Sequence, residues 1–359
     1  MSGQPARGLR LLYLGPFNSP HVEDLALAMR ERGHVVEAAG EQWGGLPASS
    51  LDEGGVPTHT MRFPTTLWLR RLVRDFRPDV VHAHWMPFAA LAALAGARPL
   101  VASAWGSDVY GASRRHLLLI RLALRRASVA MSDSVHLLAR LEELGGTGRT
   151  MLVNWGVDLG AFRVPSAQER AELKVQLGLS AAPVVFSPRG LKELYNPDVV
   201  VAAFARVREA MPGAQLVLKH LGSAESVPLE WRELPGVTQV GHVAQEAMAR
   251  LFRAADVTVS VPRTDSSPRS VWEAMAAGSA TVLSDLPWVH ELVADGRDAL
   301  VVEPRADTVA AAIEQLLRDE GLRGRLVASA RALVEGHRDR EVELERVETC
   351  YRRLADSRS

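Results

Sequence analysis

The chain has 359 residues, enough for about two domains that each bury a core. Hydrophobic residues are 47% and charged residues 23%, and 42 basic side chains balance 42 acidic ones, which excludes a bulk basic nucleic-acid binder. No apolar run reaches the roughly 18 residues of a membrane span, the N-terminus lacks the long apolar core of a secretion signal, and Cys350 is the one cysteine, so the expected location is reducing cytoplasm with no disulfide or cysteine zinc site. Leu9 to Leu14 is a largely apolar run ending at Gly15-Pro16, which predicts a buried parallel strand. Val22, Leu25, Ala26 and Met29 then recur at helical spacing, and Gly33 stands where a helix stops. His34-Val35-Val36 opens a second strand. The alternation continues with a strand over 77–85, a helix over 87–96, a strand over 98–106, a helix over 116–127 and a strand over 128–134.

Around Asn154 to Asp158 the rhythm breaks, and residues 161–182 read as a linker with one short helix. Alternation resumes from 182 and runs through strand patterns at 182–190, 214–222, 236–243, 299–304 and helical patterns at 197–213 and 308–321. Strands alternating with helices in this way predict two doubly wound α/β domains, at 1–160 and 183–335, with a charged helical segment over 336–359.

Residues 264–304 carry the most chemistry. Ser267 reads as a helix cap, Pro268 as the first helical residue and Gly278 as the stop. The free N–H groups of such a helix point into the loop Asp265-Ser266-Ser267, a geometry that suits anions and phosphates above all. Glu273 lies about two turns up the helix, where a carboxylate can accept hydrogen bonds from ribose hydroxyls; the plainer alternative is a capped helix with a solvated glutamate.

This stretch resembles the donor-nucleotide signature of family-4-type retaining glycosyltransferases of GT-B fold (glycosyl transferases group 1). Asp265 and Glu273 fall at that family's two acids, with seven residues between them and Ala274-Met275-Ala276-Ala277-Gly278 behind them. The first acid is usually glutamate, and Pro268 stands where a glycine is common. The resemblance extends over nearly the whole chain, through residues 78–85, Gly106-Ser107-Asp108-Val109 and 154–158. It implies two Rossmann-like domains facing across a cleft, the first for the acceptor and the second for a nucleotide sugar, with the last helix crossing back to the first. It further implies metal-independent transfer, without a cofactor, to a hydroxyl of a saccharide, lipid-linked or small-molecule acceptor, with retention at the anomeric carbon. Nucleic acid is not an implied partner.

The resemblance also distributes roles. Glu273 would hold ribose, Asp265 the sugar hydroxyls, and Ser266 and Ser267 would line the donor loop. Arg189 matches the family's phosphate-binding arginine, but the lysine expected five residues later is Leu194, which leaves Lys192 or Lys219 as its replacement. A departing diphosphate needs fixed cations or dipoles where no metal serves. In residues 101–109 a histidine often precedes the glycine; here it is Trp105, which either stacks on a sugar ring or packs in the core, and Asp108 beside it would position a hydroxyl. Gly15 would allow close approach of the sugar diphosphate, and Asn18, His21 and His84 are acceptor-side candidates.

Two alternatives were open on residue patterns alone. A dinucleotide oxidoreductase needs Gly-x-Gly-x-x-Gly after the first strand, where only Gly15 stands. A non-catalytic or partner-activated sugar-nucleotide-binding protein would fit the absent lysine and Trp105. The basic, apolar segments 65–77 and 114–127 read either as buried stripes with solvated arginines or as surfaces for peripheral contact with the cytoplasmic membrane face.

Overall fold

A computed structural model describes residues 7–44, 46, 48–146, 148–220 and 227–357. Its contacts divide the chain into two compact units, Met1–Trp155 with Glu341–Ser359, and Gly156–Arg340.

In the first unit the strands are β1 (Arg10–Pro16), β2 (Val35–Glu41), β3 (Thr58–Thr60), β4 (Val80–His84), β5 (Leu100–Ser103), β6 (Val129–Ser132) and β7 (Thr150–Leu152). The helices between them are α1 (Pro20–Glu31), α2 (Thr65–Phe76), α3 (Met86–Ala95), α4 (Ser107–Tyr110), α5 (Arg114–Arg126) and α6 (Val135–Glu143). Among the described residues the sheet order is β3-β2-β1-β4-β5-β6-β7, every pairing parallel. Alternate residues of each strand feed opposite faces. Leu12, Leu14, Val81 and Ala83 pack under α2, α3, α5 and α6, while Leu11, Tyr13, Val80 and Val101 pack on the other face with α1.

The second unit contains α7 (Ala167–Gln176), β8 (Val184–Ser187), α8 (Pro197–Ala210), β9 (Gln215–Lys219), α9 (Leu229–Arg232), β10 (Val237–Val240), α10 (Gln245–Ala254), β11 (Val257–Ser260), α11 (Arg269–Ala276), β12 (Ala280–Ser284), β13 (Leu300–Val302), α12 (Ala306–Arg318) and α13 (Glu320–His337). Its sheet, order β10-β9-β8-β11-β12-β13, is likewise parallel among the described residues. In each sheet the strand order reverses once, at β1/β4 and at β8/β11, and such reversals open a crevice at the strands' carboxyl ends where ligands bind.

The expected linker over 161–182 lies inside the second unit. Helix α7 is fastened there: Lys174 pairs with Asp256 at 2.8 Å, and Arg170 donates to the carbonyls of Ala255 and Gly278. Buried cations with partners of this kind fix a helix instead of leaving a tether.

The last helix, α14 (Arg340–Asp356), returns to the first unit. Its Leu344, Val347 and Tyr351, spaced three and four apart, enter the core beside Tyr13. Tyr351 also carries a buried polar chain. Its hydroxyl meets His82 Nδ1 at 2.5 Å and the Tyr13 hydroxyl at 3.1 Å, and His82 Nε2 meets Ser103 Oγ at 2.6 Å. Burial pushes the His82 imidazole down to about 3, so the chain is neutral throughout the physiological range.

Candidate active site

In the second unit, charged side chains gather at the carboxyl ends of β8, β9 and β11. Arg189 follows β8 and reaches over to the loop after β11, donating to Asp265 Oδ2 at 2.7 Å and to Ser270 Oγ at 3.2 Å. Its guanidinium lies 4.4 Å from the Tyr195 ring centroid, which holds the plane of the fork. Arg269, the first residue of α11, pairs with Glu273 one turn on at 2.8 Å. Lys219 ends β9. Burial pulls its ammonium pKa down, the neighbouring Arg189 charge lowers it further, and Glu273 opposes both. Three cations thus stand against two carboxylates in a partly desolvated cluster. The excess positive charge suits an anion with several oxygens.

The two candidate lysines separate here. Lys219 belongs to the cluster, whereas Lys192 is exposed, capping a turn of 3₁₀ helix over Glu193–Tyr195. Arg269 and Ser270 were missed by sequence reasoning. The signal for Arg269 was its spacing of four from Glu273 on a helical pattern. The expected cap is also corrected. Helix α11 starts at Arg269 with Pro268 at its N-cap position, and no side chain caps it. Ser267 is held at φ 54, and its Oγ accepts the indole N–H of Trp272 at 2.9 Å. At that left-handed φ, with Pro268 in the N-cap position, Ser267 stands one residue outside the cap. Ser266 is buried beside it, its N–H donating to Asp265 Oδ1.

In the first unit a second group forms at the carboxyl ends of β1, β2, β4, β5 and β7. His21 lies between Trp105 and Trp155, with ring centroids at 4.9 and 5.0 Å. His84 lies 6.0 Å from Trp105 and 5.8 Å from Trp155, and it stacks on His82 at 4.1 Å. Trp43 meets Trp85 edge-on at 5.1 Å and Trp105 at 5.9 Å. The acceptor-side candidates His21, His84 and Trp105 are therefore brought together, and Asn18 supports them: its amide accepts from Trp43 N at 2.8 Å and donates to Trp43 O at 3.0 Å. Trp43, Trp85 and Trp155 were not anticipated. Four of the chain's 8 tryptophans meet here, a concentration that could have been noticed from their places just after strand patterns.

Two expectations change in this unit. Asp108 was expected to position a substrate hydroxyl. Its carboxylate instead accepts the backbone N–H of Met86 at 2.8 Å and of Trp105 at 3.0 Å, so it ties the loops after β4 and β5 together. Burial raises its pKa to about 6, and the backbone donors pull the other way. Gly15 was expected to admit a sugar diphosphate. A Cβ there would lie 3.1 Å from the His84 carbonyl oxygen and 3.2 Å from its Cβ, so the chain itself fills that side.

Comparison with known proteins agrees with this architecture. A family described as Glycosyl transferases group 1 matches residues 181–319, and a Glycosyl transferase 4-like domain matches residues 19–156. A D-inositol 3-phosphate glycosyltransferase of Xylanimonas cellulosilytica is 32% identical over 51% of this chain and 46% of its own length. A glycogen synthase of Mycobacterium tuberculosis is 27% identical over 72% of this chain and 64% of its own length. The chain thus spans less than two thirds of either relative. Among solved structures, Anabaena HepE in complex with UDP and glucose superposes with a TM-score of 0.81 at 19% identity, covering 96% of this chain and 100% of that one. Sucrose-phosphate synthase from Thermosynechococcus elongatus gives 0.78 at 18% identity, covering 97% and 100%. These likenesses establish the GT-B fold.

Proposed function

Because the chain belongs to the group 1 glycosyltransferases of GT-B fold, we propose that it moves a sugar from a nucleotide-sugar donor to a hydroxyl of a saccharide or lipid-linked acceptor. The observation that carries this reading is the cluster of Arg189, Lys219 and Arg269 interleaved with Asp265 and Glu273. Arg189 and Lys219 hold the diphosphate and stabilise its growing charge as the anomeric C–O bond breaks. Glu273 accepts the ribose hydroxyls, and Asp265 the hydroxyls of the transferred sugar. The acceptor oxygen bonds to the anomeric carbon on the face the diphosphate leaves. Its proton passes to the departing phosphate oxygen, which gives retention. Fixed cations do the work that a metal does elsewhere, so no metal or cofactor is needed. Asp108 acts at one remove, by holding the loop that carries Trp105.

The test is thermal stability against UDP, GDP, TDP and ADP. A nucleotide at about 100 times its Kd adds roughly 2.7 kcal/mol to the native state, a shift of a few degrees. One of the four is expected to raise Tm, and Glu273→Ala to abolish the rise. No shift with any of them would sink the donor-site reading. A shift without turnover would leave a sugar-nucleotide-binding protein.

Peripheral membrane contact through the first unit belongs to the same proposal. What supports it is exposed apolar surface among arginines. Phe63 is 94% exposed, Leu118 63% and Leu67 51%; α5 carries five arginines and no acid; and α2 and α5 both pack on α3. No helix among the described residues is long and apolar enough to cross a membrane. The chain is expected to sediment with phosphatidylglycerol vesicles and not with phosphatidylcholine vesicles, since each arginine near an anionic surface contributes about 1 kcal/mol. Equal sedimentation of a Phe63→Asp, Leu118→Asp variant would refute the contact.

A further inference from the structure

We infer that the aromatic basin of the first unit is a binding site for an uncharged pyranoside and that it selects neutral sugar acceptors over phosphorylated ones. The inference rests on the transferase reading above for the word acceptor, but the site itself is argued from its own groups.

The basin stands at the β1/β4 reversal of the sheet, where loops from separate strands converge. Its rings Trp43, Trp85, Trp105, Trp155 and His21 are each only partly buried. Large aromatic rings that remain partly exposed offer stacking surface to the C–H face of a sugar ring. Their positions are imposed. The Asn18 amide clamps the backbone of Trp43, the Asp108 carboxylate clamps that of Trp105, and Trp85 is held at φ 73, a region that bulky residues avoid. Strain of this kind persists only where the surroundings over-determine it.

The polar groups point to a neutral ligand. The indole N–H groups of Trp43 and Trp155 already donate to Glu41 at 3.2 Å and Asp133 at 3.1 Å. The Trp105 indole N–H and both ring nitrogens of His84 are closed from solvent and have no hydrogen-bond partner among the described residues. Burial, with His82 and His21 beside it, holds His84 well below its ordinary pKa, so it presents one donor and one acceptor. A sugar hydroxyl both donates and accepts, which is what a neutral imidazole and an indole N–H lack. A phosphate would meet repulsion instead: the charged groups bonded to these indoles are the carboxylates of Glu41 and Asp133, and no arginine or lysine stacks on the four indoles among the described residues.

The experiment is a tryptophan-fluorescence titration of the intact chain with methyl glucoside, methyl mannoside and maltose, and in parallel with inositol phosphate and glycerol phosphate. Each is taken to about 10 mM, above the usual KM range. At least one neutral pyranoside should give a saturable change and neither phosphate should. Trp105→Phe keeps an aromatic face but removes the N–H, and should weaken that binding about tenfold with the nucleotide-induced shift unchanged. Saturation by the phosphates alone, no response to any pyranoside, or a Trp105→Phe variant that binds as the parent does would each overturn the inference. Loss of the nucleotide shift in the parent chain, with pyranoside binding retained, would refute the transferase reading and leave the sugar site standing.

Discussion

Arg189→Ala is expected to lower turnover by about a hundredfold to a thousandfold, the usual cost of removing one fixed donor from a developing negative charge. Arg189 is the residue that links the two sides of the cluster, since it leaves β8 and bonds Asp265 and Ser270 beyond β11. The loss should fall mainly on kcat, because charge on the diphosphate grows as the glycosidic bond breaks. Arg189→Lys should fall between, since an ammonium cannot reach Asp265 and Ser270 together or stack on Tyr195. Arg189→Ala should also move the pH profile. Burial lowers the Lys219 pKa and Arg189 lowers it further, so charge on Lys219 is lost on the alkaline side earlier than for a solvated lysine. Removing the guanidinium relieves that repulsion and raises the lysine pKa, so the alkaline limb of activity should shift to higher pH. Steady-state rates across pH check both points. An Arg189→Ala enzyme within a few-fold of the parent would exclude the phosphate role.

The second large effect is on stability. Gly40→Ala should cost at least about 3 kcal/mol, as overpacking adds to backbone strain. Gly40 sits at φ 141 on β2, paired with Gly15 of β1, and a Cβ there would lie 2.0 Å from the Gly15 carbonyl oxygen and 2.9 Å from its carbonyl carbon. The obstacle is backbone, so no rotamer change relieves it. Gly33→Ala is the control. That glycine has φ 88, but nothing lies within 4 Å of the added carbon, so the cost is the left-handed backbone alone, about 1–2 kcal/mol. Urea denaturation of both variants measures the difference. Equal losses would show that the steric contact relaxes and that strain alone operates.

Most of the secondary structure was legible because each element advertises its own buried face. The run Leu9 to Leu14 could only be a covered strand, and the apolar spacing of Val22, Leu25, Ala26 and Met29 only a helix. Short or polar elements were not legible. Strand β3 has three half-buried or exposed residues, and α13 mixes Gly, Ala, Arg and Ser with a weak apolar stripe. The residues singled out by the family motif, Arg189, Asp265 and Glu273, lie after β8, after β11 and on α11. The contacts of Ser267, Gly15 and Asp108 were not legible because each depends on tertiary placement: the indole of Trp272, His84 across β1/β4, and the loops after β4 and β5.

The sequence by itself determined the strand–helix alternation and the two-part division, since periodicity is a local property of the chain; the acid pair Asp265 and Glu273 came from the family resemblance. Tertiary structure alone decided which lysine joins Arg189, why Arg269 matters and that four tryptophans meet. Lys192 and Lys219 both follow strand patterns, and only the pairing of β9 beside β8 brings the second to the arginine. The tryptophans are separated by 112 residues from first to last, Trp43 to Trp155, and converge because the order β3-β2-β1-β4-β5-β6-β7 sets the carboxyl ends of their strands side by side. Strand pairing is fixed by burial of both sheet faces at once, a condition on the whole unit that no single segment encodes.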